Sequence, residues 1–376
     1  FDLPDELVAF REAARDFARR EIAPRVEEAE RAERTPRDLF VAAGRAGFLG
    51  IRYPESVGGS AATCLAETIL REEIGYVCSG LGAALSVSSH LGTYPVHAFG
   101  TEEQQERYLR PALSGDKVSA FALTEPDAGS DVRAITTKAV RTEAGWLLSG
   151  RKTFITNAPL ADFMIVVAYT DPSAGIEGMA LFIVDLPAEG LSVIRLAKMG
   201  NLSSEIGEVV LDDVAVPAAA CLGGERGAFK KVMETLNVGR VLVSGGAIGV
   251  ARAALDAAVA YANDRHAFGH RIGEYQGVSF PLARAHAAIE GARLATYKAA
   301  CLFDAGRNPV LETSTAKLLA SEAALFVTDA AMRTFGGYGY MREYPIERYY
   351  RDARYFAIVE GTSEIHQRVI AREIGL

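Results

Sequence analysis

Lys117-Val118-Ser119-Ala120-Phe121-Ala122-Leu123-Thr124-Glu125-Pro126-Asp127-Ala128-Gly129-Ser130-Asp131 is where the chain changes texture. At Val118 a short apolar run begins, and it ends in a polar turn that contains glycine. Further short apolar segments follow at 146–149, 152–156, 163–169, 179–184, 191–194 and 208–211, separated by turn residues such as Ser149-Gly150 and Asp171-Pro172-Ser173. Short strands with this punctuation predict a β-barrel or sandwich of roughly 100 residues. Pro217 and Gly223-Gly224 close it.

Both flanks read as helix. Leu7, Phe10, Ala14 and Phe17 recur at helical spacing until Pro24, Pro36 opens a second helix, and apolar helices are expected over 65–77 and 81–99. Thr101-Glu102-Glu103-Gln104 is a capped helix start. Beyond Gly227, segments 229–263, 276–303 and 311–334 are alanine-rich and long enough for a bundle, and Gly336-Gly337-Tyr338-Gly339-Tyr340 breaks the third. The reading is an α+β multidomain chain: an N-terminal all-α domain over 1–115, a middle β-barrel over 116–225 and a C-terminal four-helix bundle over 226–376.

The 376 residues are 49% hydrophobic, enough to bury the cores of two or three domains. The net charge of −8 and pI near 5.5 argue against a nucleic-acid or anionic-membrane surface and fit a soluble, cytoplasmic protein. Residues 241–262 are apolar but contain Arg252 and Asp256, so they read as core helix rather than a membrane span. Cys64, Cys78, Cys221 and Cys301 have no C-x-x-C spacing and read as buried free thiols in a reducing compartment. With Phe1 at the start and no signal-peptide pattern, a few residues are expected to precede it.

Near the C-terminus, Glu360-Gly361-Thr362-Ser363-Glu364-Ile365-His366-Gln367 sets a carboxylate on a turn softened by glycine, after the apolar run 355–359. Thr362 or Ser363 can cap the helix that follows, and Glu364 suits its first turn. Locally two readings stand: Glu360 is a general base with apolar walls, or an exposed helix-start residue. His266 and His270 straddle Phe268-Gly269 without a metal-binding motif, so no metal site is expected. His90 lines a pocket or packs in the core. Gly245-Gly246 and Gly249 read as close helix contact, since no strand precedes them.

The turn at 124–131, Arg151-Lys152-Thr153-Phe154-Ile155-Thr156-Asn157, Arg265-His266-Ala267-Phe268-Gly269, Gln276, the Gly336 cluster and Glu360 occur in order within an α–β–α context. In this the chain resembles the acyl-CoA dehydrogenase family over essentially its whole length. The resemblance implies FAD lying between the barrel and the bundle. It implies that Phe121, Leu123, Thr124, Gly129 and Ser130 cradle one side of the flavin, with Phe154, Ile155 and Thr156 behind the ring. Arg265, Phe268 and Gln276 would reach the pyrophosphate and adenine half of FAD in a neighbouring subunit, which implies a homo-oligomer, a tetramer. Thr362, Glu364, Gly336, Gly337 and Arg333 match further cofactor contacts; Arg333 stands where many members have Gln. Ser130, Asn237, Arg240 and Gly361 match substrate contacts.

The resemblance also implies the reaction. Glu360 would abstract the α-proton of an acyl thioester while the β-hydrogen leaves as hydride to flavin N5, giving the trans-2-enoyl thioester. The Glu360 N–H and a ribityl hydroxyl would polarise the thioester carbonyl. Arg240 would order this corner. The family's alternative base position is Gly239 here, which cannot be a base. Electrons would pass to an electron-transfer flavoprotein. The alternatives are an acyl group held on an acyl carrier protein and an oxidase-type flavoenzyme. Three departures stand out: Arg333, Val359 in place of a larger residue, and the 199–206 turn, which lacks the usual Arg and Thr. The stretch 77–99 has no Lys or Arg, against a dicarboxylic acyl group.

Overall fold

Helix α1 (Asp5–Phe17) begins after Pro4 and runs on through a π turn, Ala18–Ile22, and a 3-10 turn, Ala23–Arg25, into α2 (Val26–Ala32), in a computed structural model that describes residues 2–376. Pro24 therefore does not end the helix: it falls where the winding has already changed, so its missing N–H interrupts no regular ladder. Helices α3 (Asp38–Arg45), α4 (Cys64–Val77), α5 (Ser79–Ser86), α6 (Tyr94–Phe99), α7 (Glu102–Gln104) and α8 (Arg110–Leu113) complete the N-terminal part. The one helix expected over 81–99 is broken by a π turn, Val87–Leu91, and restarts at Pro95 in the first turn of α6. Thr101 and Gln104 form a full capping box.

The middle part holds β1 (Ser119–Ala122), β2 (Lys138–Arg141), β3 (Gly145–Thr156), β4 (Phe163–Tyr169), β5 (Met179–Asp185), β6 (Leu191–Arg195), β7 (Ile206–Pro217) and β8 (Cys221–Leu222). Hydrogen bonding orders them β6-β7-β3-β2-β4-β5-β8, and β1 pairs in parallel with β4. The segments expected as two strands at 146–149 and 152–156 are one, β3, with register shifts at Leu148/Gly150 and Lys152/Ile155. The inward side chains of the curled sheet share a core that includes Trp146, Leu148, Met164, Val166, Phe182 and Val209. The opposite faces of β4 and β5, with Phe163, Ile165 and Leu181, pack with Tyr108, Leu109 and Val232. Both faces of β4 are thus covered, and all seven of its residues are buried.

The C-terminal part comprises α9 (Ala228–Asp264), a small hairpin of β9 (His266–Ala267) and β10 (His270–Arg271), then α10 (Gln276–Asp304), α11 (Val310–Phe335), α12 (Ile346–Phe356) and α13 (Ser363–Glu373). Helices α9, α10, α11 and α12 enclose one core, with Ile248, Leu255, Leu282, Val327, Ile346 and Phe356. Helix α9 is long and apolar enough to cross a membrane, yet its apolar stretch is mostly buried within the protein. A Cβ on Gly75 would lie 2.5 Å from the Gly246 carbonyl oxygen, so α4 and α9 meet backbone to backbone, the close contact expected of these glycines. Buried Glu72 locks the same interface, accepting from Arg252 at 2.8 Å, Arg293 at 3.0 Å and Tyr297 at 2.7 Å. Cys64 and Cys78 are buried free thiols, but Cys221 and Cys301 are only half-buried.

Candidate active site

Phe356 ends α12, and the chain makes one tight turn before Thr362 caps α13 by accepting from the Ile365 N–H. In that turn Glu360 has φ +54° and Gly361 φ +102°. A left-handed Glu is uncommon and is held by its surroundings. Arg240 Nε on α9 donates to the Glu360 carbonyl at 3.0 Å, and Lys317 Nζ on α11 donates to the Gly361 carbonyl at 2.7 Å. The Glu360 side chain turns inward, and its Oε2 is buried with no hydrogen-bond partner. This excludes the exposed helix-start reading. Burial pushes the Glu360 carboxyl up to about 7, with the Arg240 and Lys317 charges opposing.

The floor beneath the carboxylate is Gly239. A Cβ there would lie 2.4 Å from Glu360 Oε2, 3.1 Å from its Cδ and 3.3 Å from Leu91 Cδ2. The two positions at which the resemblance puts a base therefore occupy one volume, and glycine at one is the room for glutamate at the other. Arg240 Nη1 donates to Asn237 Oδ1 at 2.8 Å, and Asn237 reaches Asn308 at 3.4 Å. Ring nitrogens of buried His366 make no hydrogen bond, and a Cβ on Gly361 would lie 3.1 Å from its Nε2.

The second cluster joins the turn after β1 to β3. The Thr153 N–H donates to the Thr124 carbonyl at 2.8 Å. Buried Lys152 donates to the Leu123 carbonyl at 2.9 Å and to Glu125 at 2.8 Å. Glu125 also accepts from the Thr136 N–H at 2.6 Å and the Thr137 hydroxyl at 2.5 Å. Desolvation alone would raise the Glu125 carboxyl, but Lys152 and these donors outweigh it and hold it down at about 2. Burial lowers Lys152 to about 8 against the pull of Glu125. Sequence reasoning placed both segments at the flavin but missed this ion pair, which clamps them together; the sole hint was an acid and a base inside apolar strand ends.

Next to the clamp, Phe154 adopts φ +59° at the β3 bulge and is 67% exposed. The bulge turns its ring outward. Thr124 and Thr156 are half-buried there, Ser130 is exposed, and a Cβ on Gly129 would meet nothing within 4 Å. An open aromatic face beside hydroxyls fits a planar heterocycle such as the flavin of FAD. Phe121, Leu123 and Ile155, however, are buried in the cores beneath, so any part they play falls to backbone groups.

Arg265, Phe268 and Gln276 are exposed, and Phe268 stands 95% free at the tip of the β9–β10 hairpin. Arg265 lies over the Tyr338 ring at 6.0 Å, beside a groove lined by Tyr261, Phe335, Gly336 and Gly337. Along α9, 25 residues separate Gly239 from Asp264, roughly 38 Å at the helical rise. The chain's own fold thus keeps this group apart from Glu360. Arg333 is 81% exposed and pairs with Asp329 at 3.1 Å rather than turning toward the groove. Thr362 caps α13 and Glu364 is exposed in its first turn.

His90 is not a free pocket lining: its Nε2 meets the Thr235 carbonyl at 2.8 Å and its Nδ1 meets Arg52 at 3.2 Å. Arg52 and Arg71 share Glu67, at 2.8 Å and 2.7 Å. The segment 77–99 itself lacks a cation, yet two arginines from elsewhere face it, which sequence position did not reveal. Among the described residues no cluster of three or more metal-ligating side chains occurs.

Family models match the chain in three consecutive blocks: "Acyl-CoA dehydrogenase, N-terminal domain" over 4–116, the middle domain over 120–214 and the C-terminal domain over 227–375. The chain is 42% identical over 363 residues to a subunit of the caffeyl-CoA reductase-Etf complex of Acetobacterium woodii, covering 96% of each chain. It is 40% identical over 372 residues to the short-chain specific acyl-CoA dehydrogenase of Sus scrofa mitochondria, covering 98% of this chain and 90% of that one. The structure of butyryl-CoA dehydrogenase from Megasphaera elsdenii superposes with a TM-score of 0.96 at 38% identity, covering 100% and 99%.

Proposed function

Since this chain belongs to the acyl-CoA dehydrogenase family, FAD-dependent oxidoreductases acting on a CH–CH group, we propose that Glu360 is the base that takes the α-proton of an acyl-CoA. The observation that carries the assignment is the buried Glu360 Oε2, which lacks a partner and faces the space left by Gly239. Withdrawn from water, the carboxylate is a stronger base than a solvated one. The Glu360 N–H takes no part in the hydrogen bonds of the turn and is free to polarise the thioester carbonyl. Arg240 holds the Glu360 carbonyl and Asn237 together, which fixes where the carboxylate points. Bound FAD supplies the hydride acceptor. Thr124, Ser130, Phe154 and Thr156 form its shelf.

The length of α9 between Gly239, beside Glu360, and Asp264, next to Arg265, supports a homo-oligomer in which Arg265, Phe268 and Gln276 serve a neighbour's cofactor. An electron-transfer flavoprotein is the proposed acceptor, in keeping with the relative named as part of an Etf complex. A reducing cytoplasm suits the four free thiols. The test is anaerobic titration with acyl-CoAs of graded length, branching and aryl substitution, following loss of flavin colour. Glu360→Gln is expected to keep FAD yet lose at least about 10³-fold in rate. Near-normal turnover in that variant removes the assignment, and bleaching by carrier-protein thioesters alone moves the substrate to that class.

A further inference from the structure

Lys317 points from α11 into the protein and is 1% exposed. Its ammonium has three donors, and it donates to the Gly361 carbonyl at 2.7 Å. Glu360 and Glu364 act on it through space without an ion-pair contact. A buried cation with so little compensation costs folding free energy that an apolar side chain of the same length would avoid. The cost is matched by its place: Arg240 and Lys317, from two different helices, hold the consecutive carbonyls of Glu360 and Gly361.

We infer that Lys317 is a positioning residue for the base: its ammonium fixes the left-handed turn through the Gly361 carbonyl, and its charge favours the carboxylate that accepts the proton. The inference rests on Glu360 being the base. The groups that face Glu360 are Arg240 on α9, Lys317 on α11, Tyr355 on α12 and His366 on α13. Burial pushes His366 down to about 3, so it is neutral at working pH and adds no charge. Burial likewise raises the Tyr355 hydroxyl, with Glu360 adding to the shift, so it stays protonated. Arg240 and Lys317 are therefore the two cations that oppose desolvation of Glu360. Removing one moves the carboxyl further up and depletes the carboxylate near neutral pH.

The experiment compares pH profiles of kcat/KM for the FAD-loaded wild type, Lys317→Met, Lys317→Gln and Lys317→Arg. The acid limb of both uncharged variants is expected to move to higher pH by about one unit, while Lys317→Arg restores the wild-type limb. Uncharged variants that hold FAD and keep the wild-type acid limb overturn the inference. So do uncharged variants that fail to fold while Lys317→Arg folds, because the role is then structural. Glu360→Gln in the same series separates the two ideas. If it is inactive while the Lys317 limbs coincide, only the positioning role fails; if it stays active, the base assignment fails.

Discussion

Gly239→Ala is the sharpest perturbation of the seat of the proposed base, Glu360. The new methyl would lie 2.4 Å from Glu360 Oε2, whereas ordinary contact begins near 3.4 Å, so about 1.0 Å must be found. The turn cannot supply it easily, because Arg240 and Lys317 hold its carbonyls, and Leu91 Cδ2 closes the other side at 3.3 Å. The carboxylate must therefore leave its present position. A misplacement of about 1 Å can cost about 10²-fold in rate, equivalent to about 2.7 kcal/mol of barrier. Alanine favours the helix over glycine by about 1 kcal/mol, so stability should change little and FAD should remain bound. Stopped-flow reduction of the bound flavin by acyl-CoA reads the rate. In a Glu360→Gln background the same change should cost nothing further, since the two side chains act through one contact. A Gly239→Ala enzyme that reduces its flavin at the wild-type rate refutes the shared-volume argument.

Two further outcomes follow from the other clusters. Lys152→Met leaves buried Glu125 without its cation and should cost about 3–5 kcal/mol, read as a lower denaturation midpoint and faster FAD loss; adding Glu125→Gln, which removes the charge and keeps an oxygen to accept from Thr136 and Thr137, should recover part of it. If Arg265 holds the cofactor's diphosphate as proposed, Arg265→Gln removes a charge-assisted contact of about 1.5–3 kcal/mol, and FAD should dissociate more readily on dialysis. Mixed oligomers of Arg265→Gln and Glu360→Gln subunits should regain some activity if Arg265 serves a neighbour's site, and none if it does not.

The sequence by itself determined the layers. The α–β–α order followed from periodicity, because helix and strand bury their faces at different spacings, whereas the local pattern at Glu360 left two readings open, and only the family resemblance pointed to it as the base and to Gly239 as the vacated alternative. Winding changes were less legible: the π turns at 18–22 and 87–91 and the bulge within β3 depend on what packs against the chain, not on local preference. Tertiary structure alone decided that Glu125 and Lys152 form a buried pair, that Arg52 and Arg71 face a segment with no cation of its own, and that Lys317 reaches the Glu360–Gly361 turn from 44 residues away. The physical reason is the same in each case. Which buried charges find partners depends on which chain segments pack together, and sequence position does not record which segments meet.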